Sequence, residues 1–234
     1  MAITPDTHVA DLATSSPATI KVFQQYGIDF CCGGHRPLSE ACAERAVNVD
    51  VVIDALEHSL AESSADADWK DARLSALVEH IQQRFHEPLR QELPRLAAML
   101  DKVISRHGDR HGDMLRSLGR VFGDFQADLL SHMEKEDLVL FPAVSALERG
   151  EASALGQWHW IAGPIGMMEL EHADAGAALA EMRRLTNGYT APADACPTFQ
   201  GLFFGLAELE REMHLHVHLE NNILFPRTEA LADR

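Results

Sequence analysis

The stretch that decides the fold is His132-Met133-Glu134-Lys135-Glu136-Asp137-Leu138-Val139-Leu140-Phe141-Pro142, because it recurs as His216-Val217-His218-Leu219-Glu220-Asn221-Asn222-Ile223-Leu224-Phe225-Pro226. Both read H-x-x-x-E-x-x-x-x-F-P. In an α-helix, residues four apart differ by about 40° and lie roughly 6 Å apart along the axis. His and Glu at that spacing share one face. The imidazole can bind one metal ion while the carboxylate reaches over to bridge two. A single such pair is usually a surface pair; a duplicated pair with the same Leu-Phe-Pro ending is not readily chance.

Upstream of each motif lies a helix with one further candidate, His86 and His172. The C-terminal region thus reads as a repeated helix pair, each pair carrying one lone histidine and one HxxxE. Four histidines (His86, His132, His172, His216) and two glutamates (Glu136, Glu220) form the expected ligand set. Mixed imidazole and carboxylate donors suit iron or manganese. Two carboxylates leave residual positive charge on two divalent ions, which favours an oxo or hydroxo bridge. The repeat predicts nearly matching shells for the two metals.

Around these motifs the pattern is long and helical. It predicts helices over 71–106, 113–147, 159–187 and 196–231, a four-helix bundle. Gly108 and Gly112, Gly150 and Gly156, then Asn187-Gly188 with Pro192 mark the breaks. Pro88 and Pro94 predict a bend, since interior proline costs about 3 kcal/mol. Phe141, Phe225, Trp158 and Trp160 read as core. His214 and His218 form a second i,i+4 pair, expected on a solvated face turned away from the metals. His107 is an extra ligand or a loop residue. Glu169 or Glu171 can orient a ligand or line an iron path, with a surface carboxylate as the default.

Residues 1–62 read as a small helical domain, 63–70 as a polar linker, and 71–234 as the bundle. Asp6 or Thr7 is expected to cap a first helix, Pro17 to start a second and Gly27 to end it. A third helix is expected over Leu38–Ala46. Asn48 or Asp50 opens a fourth, with Val51, Leu56 and Leu60 apolar. The fold class is all-α.

Across 234 residues the hydrophobic content is 46% and the net charge −16. That charge disfavours nucleic acid and anionic lipid. No apolar run approaches the roughly 20 residues that span a bilayer. The N-terminus lacks the basic and apolar regions of a signal peptide, so a cytoplasmic location is expected. Cys31, Cys32, Cys42 and Cys196 are expected as thiols, and their spacing matches no zinc pattern. The vicinal Cys31-Cys32 is either two small buried hydrophobes or an exposed reactive pair.

Tyr26-Gly-Ile-Asp-Phe30-Cys31-Cys32-Gly33-Gly34 resembles the N-terminal domain of the bacterial repair-of-iron-centres (RIC) di-iron proteins. His132-Met-Glu-Lys-Glu136, Glu169-Leu-Glu-His172-Ala-Asp-Ala-Gly176 and Leu219-Glu-Asn-Asn-Ile-Leu-Phe-Pro-Arg227 resemble its hemerythrin-like domain. The resemblance covers nearly the whole chain. It departs near His86, where Pro88 follows and a second nearby histidine is missing. The resemblance implies a cytoplasmic homodimer that repairs iron–sulfur clusters after nitrosative or oxidative stress, with damaged iron–sulfur proteins as partners. It places two irons on the same six residues and implies transfer of iron or nitric oxide by Cys31 and Cys32. Two rival readings use the same centre: reduction of nitric oxide to nitrous oxide, and binding of oxygen or nitric oxide.

Overall fold

The computed structural model describes residues 3–31, 33–62, 69–151 and 158–233. The expectations for Cys32, the linker over 63–68, Gly156 and the side chain of Trp158 fall outside them. Among the described residues there is no strand, and the chain is all-α.

Four helices come first: α1 (Val9–Ser15), α2 (Pro17–Tyr26), α3 (Leu38–Glu44) and α4 (Val49–Glu62). The Ser16 hydroxyl accepts from Ala18 N and Pro17 opens α2, a proline-compatible first turn. Gly27 ends α2 at φ +66°, where a Cβ would be strained. Two expectations fail. Thr7 does not cap α1: its Oγ1 accepts from Thr4 N, and the helix starts behind His8 without a side-chain cap. Val51 is 49% exposed, whereas its neighbour Val52 faces the core with Leu56, because adjacent helical residues point about 100° apart.

The bundle's first helix is α5 (Leu74–Ile81), running through a π turn at Gln82–His86 into α6 (Glu87–Lys135). Within α6 only His111 leaves helical torsions, at φ −121° and ψ 20°. The chain doubles back there: Leu74 meets Glu148, His86 meets Asp137, and Gly119 lies against Ile104. The break expected from Gly108 and Gly112 is thus this one kink. A second π turn, Glu136–Leu140, leads into α7 (Phe141–Glu148). A 3₁₀ turn, Trp158–Ile161, opens α8 (Ala162–Leu185). Asn187 and Gly188 take left-handed torsions in the next turn. Then α9 (Pro197–Leu219), a third π turn at Glu220–Leu224 and α10 (Phe225–Ala232) complete the bundle.

Each π turn ends two residues before a proline: Pro88, Pro142 and Pro226. A helical proline cannot donate to the carbonyl four residues back, and its ring crowds that carbonyl. In all three cases that carbonyl lies within the wide turn, which relieves the crowding. The bend expected at Pro88 takes this form, while α6 keeps helical torsions through Pro94.

The apolar core forms two clusters. One holds Phe23 of α2 and Phe30 of the loop after it, together with Leu93, Leu129, Phe199 and Leu206 of the bundle. The other holds Leu77, Ile81, Phe141, Ile165 and Phe225 at the opposite end. The buried polar residues of the expected site lie between them along every bundle helix.

Candidate metal centre

His86 closes the first π turn, Glu136 opens the second and Glu220 opens the third. Each turn is closed by an i→i+5 bond, such as Phe141 N to Glu136 O and Phe225 N to Glu220 O. His132, His172 and His216 stand on α6, α8 and α9. All six residues are buried, none more than 3% exposed.

Their donor atoms fall into two overlapping groups: His86, His216, Glu136 and Glu220; and His132, His172, Glu136 and Glu220. Both carboxylates belong to both groups. Each group takes one lone histidine from one half of the repeat and the HxxxE histidine of the other. His86 Nε2 is 3.0 Å from His216 Nε2, and His132 Nε2 is 3.0 Å from His172 Nε2. Carboxylate oxygens lie 2.9 Å (His216–Glu220), 3.2 Å (His132–Glu136, His172–Glu220) and 3.5 Å (His86–Glu136) from these nitrogens.

The outer imidazole nitrogens explain why the inner ones face each other. Asp137 Oδ1 accepts from His86 Nδ1 at 2.9 Å. Glu171 Oε2 accepts from His132 Nδ1 at 2.9 Å, and Asn221 Oδ1 from His172 Nδ1 at 2.7 Å. Those three rings therefore present Nε2 lone pairs inward. Among the described residues, both Glu136 oxygens and Glu220 Oε2 are buried without a hydrogen bond. Lone pairs and carboxylates converging in a dry space repel unless a cation sits among them. First-row ions hold N and O donors at about 2.0–2.2 Å, which spaces donors about 3.0 Å apart at right angles. The observed spacings are close to this, and the residues present fit a metal site.

The protonation behaviour follows the same field. Burial opposes charge on His86, but hydrogen bonds to Asp137 and Glu220 and the Glu220 and Glu136 charges outweigh it, lifting its pKa to about 9. Burial likewise opposes charge on His172, and Glu220 lifts it to about 9. For His216 burial wins, and the nearby His86 pushes its pKa lower still. The pocket stabilises positive charge, which a metal ion would supply.

Phe141 stacks on His86 at 5.5 Å and Phe225 on His172 at 5.9 Å, so the two motif phenylalanines pack against the clustered histidines as well as the core. Sequence reasoning missed Asp137 and Asn221 as orienting residues. Their signal was position: each directly follows a repeat glutamate and binds the lone histidine of its own half. Glu171 turns out to hold His132, whereas Glu169 has no such contact among the described residues.

Other expectations need correction. His218 is 1% exposed, not on a solvated face. Its ring packs edge-on against Phe30 at 5.6 Å, as His214 does at 6.1 Å, because the N-terminal helices cover this side of α9. Burial lowers the His218 pKa to about 4. Asn222 Nδ2 donates to His218 Nδ1 (2.9 Å) and to the Phe30 carbonyl (3.0 Å). His107 packs on Phe199, and 21 helical residues separate it from His86, about 30 Å along the axis. It is no ligand. The outer shells also do not match, since among the described residues His216 Nδ1 has no hydrogen-bond partner.

Cys31 is 4% exposed, and its thiol donates to Asp29 Oδ1 at 3.3 Å. It lines a cavity of about 780 Å³ between the N-terminal motif and the α8–α9 face, with Ala177, Arg183 and His214 opposite. A second cavity, about 460 Å³, runs between α6 and α8 from Val121 and Asp128 to His132 and His172. No described helix is long and apolar enough to cross a membrane.

Comparison with known proteins agrees with this architecture. Residues 5–60 match the ScdA N-terminal family, described as a domain of unknown function, and residues 77–228 match the hemerythrin HHE cation binding domain. The chain is 36% identical to the iron-sulfur cluster repair protein YtfE of Cronobacter sakazakii over 225 residues, covering 96% of this chain and 97% of that one. It is 36% identical to YtfE of Escherichia coli O81 over the same shares. A Haemophilus influenzae relative, named a probable iron-sulfur cluster repair protein, is also 36% identical, covering 94% of this chain and 95% of its own. With an ScdA-type N-terminal domain joined to a hemerythrin-like bundle, the chain belongs to the repair-of-iron-centres family.

Proposed function

We propose that the protein holds two iron ions on His86, His132, Glu136, His172, His216 and Glu220, and supplies iron to iron–sulfur clusters damaged by nitrosative or oxidative stress. The observation that carries this reading is the pair of buried His₂Glu₂ groups sharing both carboxylates. Shared carboxylates would hold two ions side by side, and an oxo or hydroxo group would complete their neutralisation. The chain's own part is to hold the ions dry and to set the imidazoles through Asp137, Glu171 and Asn221. Curated relatives named for cluster repair support the client class. Cys31 and Cys32 would receive iron or nitric oxide; the Cys31 position on an open cavity supports that role. A paired chain and a cytoplasmic location belong to the same proposal and rest on the family resemblance.

The test is recovery of a cluster enzyme inactivated by nitric oxide. Full-length protein carrying two ferrous ions should restore activity, and Glu220→Ala, stripped of iron, should not. Recovery no better than with the metal-free protein would end the supply reading.

The second reading is coupling of nitric oxide, favoured by the cavity that reaches His132 and His172. Two nitric oxide molecules, two protons and two electrons yield nitrous oxide and water; two ferrous ions held by the six residues would supply the two electrons. Single-turnover measurement of nitrous oxide decides it.

A further inference from the structure

The two halves of the bundle correspond position by position. Lone histidines His86 and His172 match. So do their orienting residues Asp137 and Asn221, and their stacked rings Phe141 and Phe225. One more pair of positions corresponds: the residues just before the lone histidines, Phe85 and Glu171. Each reaches across to the HxxxE histidine of the other half. Glu171 Oε2 accepts from His132 Nδ1 at 2.9 Å. Phe85 lies flat on His216, 5.3 Å between centroids and 9° between planes. A phenyl ring accepts no in-plane hydrogen bond, and His216 Nδ1 is left buried and unpartnered among the described residues. Here the matching of the outer hydrogen bonds breaks.

We infer that this substitution of a phenyl ring for a carboxylate makes the His86–His216 position the one that gives up its metal first. The inference rests on the two-ion reading and deepens it by assigning which ion is delivered. Compared one for one, Asp137 on His86 is matched by Glu171 on His132. Each of these carboxylates also carries a cation, Arg90 and Lys135. What remains is Asn221 on His172 against nothing on His216. A ligating imidazole without its outer partner is less basic and less fixed, and loss of such a partner costs about 10–100-fold in metal affinity. Both positions keep the same two carboxylates, so the difference falls on the histidines alone. Release is ligand exchange without redox change: the ion passes to the acceptor's donors, and the imidazole nitrogens regain lone pairs.

The experiment uses the full chain loaded anaerobically with two ferrous ions, counted by metal analysis, and mixed with excess ferrozine. Release should be biphasic, one iron per chain in each phase, with rates at least about tenfold apart. Glu171→Leu, at a half-buried position that should fold, removes the partner of His132. It should speed the slow phase until the two differ by less than about threefold. Phe85→Glu should slow the fast phase. Release of both irons from wild type at one rate overturns the inference, as does a slow phase unchanged in Glu171→Leu; both leave the two-ion reading standing. A chain that takes up a single iron overturns both.

Discussion

Asp137 Oδ1 accepts from His86 Nδ1 at 2.9 Å while the same carboxylate engages Gln82 and Arg90. Burial works against ionising Asp137, but the bonds from His86, Gln82 and Arg90 hold its pKa down to about 2. It is therefore an anion at every physiological pH, and it fixes the His86 ring with Nε2 turned toward Glu136. Asp137→Ala should retain the helical fold yet weaken metal binding at the His86–His216 position by about 10–100-fold. Asp137→Asn, which can still accept, should lose less. Titration with ferrous iron, read as ions bound per chain, checks this; unchanged affinity in Asp137→Ala would show that the residue is only a surface partner for Arg90.

Asn222 makes a prediction about the join between the two regions. Its amide donates to the Phe30 carbonyl and to His218 Nδ1, and it stands two residues after Glu220 in the same π turn. His218 accepts because burial keeps it neutral. Asn222→Ala should remove about 1 kcal/mol of anchoring, the net worth of a typical hydrogen bond. Amide exchange in the segment from Ile28 to Arg36 should then quicken about fivefold. The bundle core around Leu93 and Phe199 should be unaffected. Equal exchange in the two proteins would mean that the ring contacts of Phe30 with His214 and His218 suffice.

Legibility of the molecule from its sequence follows the range of each interaction. His132–Glu136 and His216–Glu220 are local: the helical repeat alone puts both groups on one face, and the duplication marks that face as functional. The bundle helices are legible for the same reason, since their apolar period and turn residues are short-range. Asp137 and Asn221 were harder, because their partners lie on other helices and only the assembled bundle brings them within reach. The burial of His218 was misread because a polar i,i+4 pair looks solvated until a separate group of helices covers it. The π turns are marked in the sequence by Pro88, Pro142 and Pro226, and a proline predicts a bend or a motif ending there rather than a widened turn.

Glu148 shows a cap supplied from across the fold. The α5 helix begins behind Arg73, which offers no side-chain cap. Instead the Glu148 carboxylate, at the end of α7, accepts from Leu74 N at 2.6 Å, Ser75 N at 3.1 Å and Ser75 Oγ at 2.6 Å. Negative charge there also suits the helix dipole. Burial would raise the Glu148 pKa, but the Ser75 and Leu74 hydrogen bonds outweigh it and hold it below the ordinary 4.5. A depressed folded pKa stabilises the protein above the unfolded value, and that contribution is lost as pH falls through the lower, folded value. Glu148→Gln should therefore lower stability by about 1 kcal/mol near neutral pH, as loss of a helix cap does. For a chain of this size that is about 2–4 °C in Tm. Measured on metal-free protein, the gap between wild type and Glu148→Gln should close as pH drops below about 4.5 and the wild-type carboxylate takes up its proton. A gap that stays constant down to the acid transition would mean that the shape of the side chain, not its charge, holds α5 against α7.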